Sequence, residues 1–381
     1  MNVINGSLYA IFVFTCLLYI QLCVVMSEIT DSHTHTYDDK DLGFHDKLHA
    51  IKEGNPPHFY IIGAQKCATS SLYDLFVSKH PNICKSSAKE VHYFDHPNEW
   101  ERGSQYYSAY FKRDKQCEQK SYSTSNITDN TKLLNYIDAT PNYFTNPLVP
   151  ARLYKSLTKS DRIKKKFILI LREPVSREYS WYNHRARFCI TQMHNYIKRH
   201  SNMIKLINNN DTIWDVNKLC NDIHCEPVEC TKYGAYAKLN EEANYIANFT
   251  QYYHSGNLIK QKSLYLQHIH NWLKYFKREQ FFIINLTTLL TNTTDTVQRI
   301  CKFFNIPLFH LKNNKYIKLP HDNAANINTK YDCNVRNTLY PYYKDHNERL
   351  YEFLKNSPVN ITNEPDFPEF QEKLCSPDQL Y

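Results

Sequence analysis

Glycine is scarce, with 7 residues in a chain of 381. Each one therefore marks a place where the backbone asks for it. The chain has no self-similarity at a period of roughly 20 to 50 residues, which excludes a solenoid. No Lys or Arg precedes its one long apolar run, so charge gives that run no orientation. Tyr (30 residues), Asn, Lys and Ile are abundant instead, a bias read as genomic base composition rather than function. Apolar residues at 42% and charged residues at 22% are ordinary for a folding chain.

The apolar run is Leu8–Met26, about the length that crosses a bilayer. It reads as a signal anchor, with a cleaved signal peptide as the alternative. Either sends the rest of the chain into the secretory pathway. Six sequons agree with that compartment: Asn126, Asn210, Asn248, Asn285, Asn292 and Asn360. Asn285 ends an apolar run and is expected to be too buried for a glycan. Ten of the 12 cysteines, all but Cys16 and Cys23, lie beyond the run, which predicts disulfides in an oxidising lumen. Cys220, Cys225 and Cys230, with His224 among them, match no common zinc spacing and read as disulfide cysteines. The expected organisation is a cytosolic 1–7, an anchor 8–26, a stem 27–56, a domain 57–356 with an irregular Cys-rich insertion 192–256, and a tail 357–381.

Within the domain, Phe59–Ile62, the neighbourhood of Ile137, Phe167–Leu171 and Gln280–Leu286 read as strands. Leu72–Lys79, a segment from Pro174 to about Arg185, Ser263–Phe276, Val297–Phe304 and Thr338–Lys355 read as helices. Strands alternating with helices predict an α/β fold whose mostly parallel central sheet is covered on both faces.

Chemistry concentrates in three segments. Gly63-Ala-Gln-Lys-Cys-Ala-Thr-Ser-Ser-Leu72 lies between a strand and a helix, an arrangement that offers unpaired N–H groups and positive dipole character to a phosphate. Lys66 adds a cation, and Thr69, Ser70 and Ser71 add hydroxyls. It is not a nucleoside-triphosphatase loop, because no second Gly precedes the Lys. Arg172 stands at the end of the strand Phe167–Leu171, where open α/β sheets bind ligands, and Ser180 follows two helical turns later. Arg172 forks onto a phosphate in this reading; pairing with Glu173 or Glu178 is the structural alternative. Lys89-Glu-Val-His-Tyr-Phe-Asp95 places Glu90 and His92 on one side of an extended segment, where a carboxylate beside an imidazole can take a hydroxyl proton. A surface cluster of mixed charge is the alternative.

Together these segments resemble the Golgi PAPS-dependent carbohydrate sulfotransferases, PAPS being 3′-phosphoadenosine 5′-phosphosulfate. The resemblance covers roughly Pro57–Lys355 and implies a P-loop-type domain. It implies that Lys66, Cys67, Ala68, Thr69, Ser70 and Ser71 cradle the 5′-phosphosulfate and that Arg172 and Ser180 take the 3′-phosphate. It further implies Glu90 as general base, Lys66 and His92 as catalytic partners, and Lys89, His92, Asp95 and Tyr143 as acceptor-side residues. Asp95 is expected to hold His92 or Lys89. The implied setting is a type II Golgi membrane protein with a lumenal domain, a glycosaminoglycan acceptor, no metal and no nucleic acid, with a homodimer left open. The segment from Tyr340 to Leu350 resembles the N-acetylgalactosamine 4-sulfate 6-O-sulfotransferase group, which makes that acceptor the first expectation. Heparan sulfate is second, on Lys89–Asp95 and on Tyr143-Phe144.

Two departures stand out. Ala68 replaces the Gly usual in the first loop, where a left-handed backbone costs Ala more than Gly. Ala139 stands where many heparan sulfate enzymes have Lys. The formal charge is +8, with basic residues at Lys159–Lys166, Arg172, Arg177, Arg185 and Arg187; in a secretory lumen such a surface meets acidic glycans, acidic nucleotides or membrane headgroups, and a merely solvated face is the alternative for Lys159–Lys166. A nucleotide kinase-like enzyme and an inactive secreted glycan-binding protein are the readings from other classes.

Overall fold

The computed structural model describes residues 51, 57–112, 117, 135–181, 184, 259–309, 316–320, 333–356 and 367–370. All belong to the unit Leu48–Tyr381. The anchor and insertion expectations (8–26 and 192–256), the stem apart from Ile51, and most of the tail lie outside them. Among the described residues, no helix is long and apolar enough to cross a membrane.

The short apolar runs become a sheet. β1 (Phe59–Gly63), β2 (Ile83–Cys84), β3 (Asn135–Asp138), β4 (Lys166–Leu171) and β5 (Phe281–Asn285) lie in the order β2-β3-β1-β4-β5. Every pair is parallel. All residues of β1 and β5 are buried, as expected when helices cover both faces of a parallel sheet. The helices used below are α1 (Thr69–Lys79), α2 (Gly103–Ala109), α3 (residues 174–181), α4 (Ile259–Lys262), α5 (Tyr265–Leu273), α6 (Thr293–Phe304) and α7 (Cys333–Lys355). α6 buries Val297, Ile300, Cys301 and Phe304. The Phe304 ring stacks on Phe59 at 3.9 Å. Trp272 of α5 is buried and donates its indole N–H to the Phe144 carbonyl at 3.2 Å.

β1 and β4 are neighbours, with Ile61 opposite Ile168. The chain leaves β1 toward β2 and β3 on one side and returns to β4 on the other. Their carboxyl ends therefore flank the topological switch point, where open α/β sheets bind ligands. The first two motifs follow β1 and β4 directly.

Cys84 and Cys117 form a disulfide with a Cα–Cα distance of 5.3 Å. Cys67 and Cys301 are free and buried. Asn285 is 2% exposed, accepts from the Thr287 N–H and donates to the Pro368 carbonyl, so its amide is already engaged. The basic run is less of a surface than its sequence suggests. Lys165 is buried and donates to the Pro57 carbonyl at 3.0 Å, and burial lowers its ammonium to about 8. Arg177 is also buried, with Glu178 and Ser263 as partners.

Candidate active site

β1 ends at Gly63 because the neighbouring chain leaves no room for a side chain. A Cβ there would sit 2.6 Å from the Phe144 Cβ and 3.1 Å from the Pro141 carbonyl oxygen. The loop that follows carries two non-glycine residues with positive φ, Lys66 at 68° and Ala68 at 58°. Ala68 is the residue preceding α1, with ψ 23°, and no side chain caps the helix there. Left-handed residues interleaved with ordinary ones turn successive N–H groups toward one concavity, and an uncapped helix start adds its own. The loop's sequence predicts an anion cradle here, and this backbone is of the kind that can make one. Thr69 and Ser71 are buried beneath it, and Ser70 is half-exposed. The Cys67 thiol is buried, donates to the Gln65 carbonyl at 3.6 Å, and is pushed up to about 11 by burial.

Arg172 reaches this loop from the end of β4 and donates to the Lys66 carbonyl at 3.3 Å. Its own carbonyl accepts from the Tyr265 hydroxyl at 2.7 Å. Neither nearby glutamate pairs with it. Glu173 accepts from the Val175 and Ser176 N–H groups at the start of α3, and its carboxylate lies 3.6 Å from Arg336. Glu178 is buried with Arg177 and Ser263. Ser180 is partly exposed on α3, and no hydrogen bond joins it to Arg172.

The third segment meets the first through Lys89, whose ammonium lies 2.5 Å from the Ser70 hydroxyl and 2.6 Å from Glu90. Glu90 and His92 face one another at 3.5 Å, Oε2 to Nε2. The route differs from the expected extended alternation: His92 has φ 56°, so a turn brings the two together. His92 Nδ1 bonds Asp95 Oδ2 at 2.9 Å, and that carboxylate oxygen also accepts from Asn142 at 2.7 Å. Asp95 thus holds His92, not Lys89. Its side chain is fully buried, so the expected place on the acceptor side does not suit it. Tyr143 requires the same correction. It is 0% exposed and donates to Asp138 at 3.1 Å, so it belongs to the core.

The electrostatics are tightly coupled. Burial pushes the Glu90 carboxyl up, but hydrogen bonds from His92 and Lys89 outweigh it and bring it down to about 2. Hydrogen bonds to Asp95 and then Glu90 raise His92 to about 10 despite its burial. At neutral pH the Glu90–His92 pair is an ionised carboxylate facing an imidazolium. His92, Asp95 and His96 also bring ligand-type atoms within 4.8 Å of one another. Here the His92–Asp95 hydrogen bond already occupies two of those three residues.

Lys262 carries no motif and was not foreseen. From the end of α4 its ammonium donates to Gln65 of the cradle at 3.1 Å and to Asn142 at 3.2 Å, and it lies 5.1 Å from the Trp181 ring centre. Ala139, three residues before Asn142 in the chain, is fully buried. Asp138 and Thr140 were also missed as site residues. Both are 0% exposed, and they connect β3 to the Glu90 segment.

Known proteins with similar sequences bear on this geometry. A family model described as "Sulfotransferase domain" matches residues 56–331. The chain is 27% identical over 274 residues to mouse (Mus musculus) "Heparan sulfate glucosamine 3-O-sulfotransferase 5", covering 68% of this chain and 60% of that protein. It is 25% identical over 343 residues to "Membrane-associated sulfotransferase kil1" of Dictyostelium discoideum, covering 78% of this chain and 65% of that protein. It thus spans less than two thirds of the length of either relative. A solved sulfotransferase from Alicyclobacillus acidocaldarius aligns with a TM-score of 0.42 at 19% identity, over 81% of this chain and 99% of that one.

Proposed function

The chain belongs to the sulfotransferase domain family, and we propose that it moves a sulfuryl group from PAPS to a hydroxyl of a glycosaminoglycan sugar. The observation that carries this reading is the pair of ties drawing three distant segments to one edge of the sheet. Arg172 bonds the cradle at Lys66, and Lys89 bonds both Ser70 and Glu90.

PAPS is a substrate here, and the residues suit its anions. The cradle from Lys66 to Ser71 takes the 5′-phosphosulfate. Arg172, which pairs with neither glutamate beside it, takes the 3′-phosphate, with Ser180 as a second donor. In the reaction the acceptor oxygen forms a bond to sulfur, and the bond from sulfur to the 5′-phosphate oxygen breaks. The hydroxyl proton passes to Glu90. Lys66 stabilises the charge that grows on the leaving phosphate. His92, held by Asp95, orients the acceptor oxygen. Glu90 is ionised and ready to accept a proton, but at about 2 it is a weak base. An acceptor that takes over its contact with Lys89 or His92 strengthens it.

For the acceptor we favour heparan sulfate. Support comes from the resemblance of Lys89–Asp95 and from what the mouse relative's name says it acts on. The 6-O position of N-acetylgalactosamine 4-sulfate is the competing reading, on the segment Tyr340–Leu350. Lys262 is positioned for an acidic group of the acceptor. The Cys84–Cys117 disulfide supports a lumenal setting, with 8–26 as the membrane anchor and the Golgi as the compartment. The test is radiolabelled PAPS with a panel of desulfated and partly sulfated glycosaminoglycans, followed by disaccharide analysis, on the wild type and Lys262→Ala. Label in heparan disaccharides, with a raised acceptor KM in the variant, is expected. Label in N-acetylgalactosamine 4-sulfate selects the competing acceptor, and no label in any glycan refutes the activity.

A further inference from the structure

The Glu90 segment is held by something other than its own backbone pairing. It is not part of the sheet, and His92 sits in the left-handed region. The Val91 N–H donates to the Thr140 hydroxyl oxygen at 3.0 Å, and the His92 N–H lies 3.4 Å from the same oxygen. Thr140 in turn donates to Asp138 Oδ1 at 2.7 Å. The other oxygen, Oδ2, accepts from Tyr107 of α2 at 2.9 Å and from Tyr143 at 3.1 Å. Asp138, Thr140, Tyr107 and Tyr143 are all 0% exposed. Buried hydroxyls aimed at one carboxylate form a satisfied network with a single arrangement.

The direction of each bond matters. A threonine hydroxyl has one proton and two lone pairs. Asp138 takes the proton, so the lone pairs face the Glu90 segment and accept its N–H groups. Asp138 closes β3 and is in register with Tyr60 of β1, so its position is fixed by the centre of the sheet.

We propose that Asp138 and Thr140 form a latch that positions Glu90 and His92, transmitting the fixed end of β3 to the catalytic segment through the Val91 and His92 amides. Neither residue touches substrate. The claim rests on the sulfotransferase reading for its kinetic consequence, but its structural part does not depend on turnover. Without the latch, two buried amides lose their acceptor and the segment is free to leave the left-handed turn that faces His92 toward Glu90. The donor cradle, built on β1 and α1, stays as it is.

The test uses the full chain with Thr140→Val, which keeps the shape and removes the oxygen, and Thr140→Ser, which keeps the oxygen. Thr140→Val should lower kcat about 10- to 100-fold, the range expected for misplaced catalytic groups. Its KM for PAPS and its affinity for 3′-phosphoadenosine 5′-phosphate should stay within about twofold of wild type, because the residues it misplaces act on the acceptor in the transition state and not in nucleotide binding. Thr140→Ser should restore most of kcat. Amide hydrogen exchange in the peptide holding Val91 and His92 should quicken in Thr140→Val and stay slow in the wild type and Thr140→Ser. Wild-type kcat in Thr140→Val, a serine variant as slow as the valine one, or unchanged exchange would overturn the latch. If Thr140→Val does not fold, Thr140→Ala, which also removes the oxygen, takes its place, and wild-type kcat and exchange there count against it equally. If the wild type itself transfers no sulfate, the sulfotransferase reading fails, and the exchange comparison still decides the latch.

Discussion

Ala68→Gly should make this protein more stable and leave its chemistry intact. Ala68 has φ 58° and ψ 23°, within the left-handed region, directly before α1. There the Cβ crowds the following carbonyl, at a cost of about 1–2 kcal/mol for an L-residue. Glycine removes that cost. It also gives the unfolded chain more freedom, worth about 0.4–1 kcal/mol in the opposite direction. The difference is a net stabilisation of about 0.5–1 kcal/mol. For a domain of about 300 residues, that raises Tm by about 1–2 °C. Thermal unfolding followed by near-UV circular dichroism reads it directly. Ala68→Val is the control: a β-branched residue at positive φ is a genuine outlier, and Tm should fall by more than the glycine variant gains. Affinity for 3′-phosphoadenosine 5′-phosphate should be equal or tighter in Ala68→Gly, because the cradle conformation becomes easier to hold. A lower Tm in the glycine variant, or a valine variant as stable as wild type, would refute a left-handed Ala68.

Other consequences follow from the same geometry. Gly63→Ala forces a Cβ to 2.6 Å from Phe144; overpacking of this kind costs about 1–3 kcal/mol, and chemical denaturation should show a lower midpoint with an unchanged m-value. Arg172→Ala should weaken binding of 3′-phosphoadenosine 5′-phosphate by roughly tenfold or more, the value of a charge-assisted pair, while leaving affinity for ADP, which has no 3′-phosphate, nearly unchanged in calorimetry. His92 is raised above its unfolded value of 6.5 to about 10 by Asp95 and Glu90. Its contribution to stability is therefore fully present below about pH 6.5 and is lost as pH rises toward 10. Denaturation midpoints measured from pH 6 to 10 should fall in the wild type and be flatter in His92→Asn.

Much of the fold was legible because parallel strands buried on both faces appear as unbroken apolar runs. Phe59–Ile62, Phe167–Leu171 and Gln280–Leu286 each mark a strand to within one residue at either end. The starts of α1 and α6 were read late for a physical reason. α1 begins with Thr69, Ser70 and Ser71, and α6 begins with Thr293, Thr294 and Asp295, so apolar periodicity appears only after the first turn. β2, with two residues, is too short to have a pattern. In the site, the loop from Gly63 and the position of Arg172 could be read because strand ends are predictable places. Tyr143 could not be placed, because a tyrosine looks the same in a sequence whether its hydroxyl meets a sugar or a buried carboxylate. Lys262 and the Asp138–Thr140 pair were missed for a related reason. Their partners are distant in the chain: Lys262 meets Gln65 across 197 residues, and Thr140 meets Val91 across 49. Only the folded sheet brings them together.

The account's central claim is that Glu90 takes the acceptor proton in a site whose donor half is built separately on the first loop and Arg172. The direct measurement is transfer of labelled sulfate from PAPS by the wild type and by Glu90→Gln, alongside calorimetric binding of 3′-phosphoadenosine 5′-phosphate to both. The account predicts transfer by the wild type, loss of transfer by at least roughly a hundredfold in the variant, and matching nucleotide affinities. Full transfer by Glu90→Gln would contradict it.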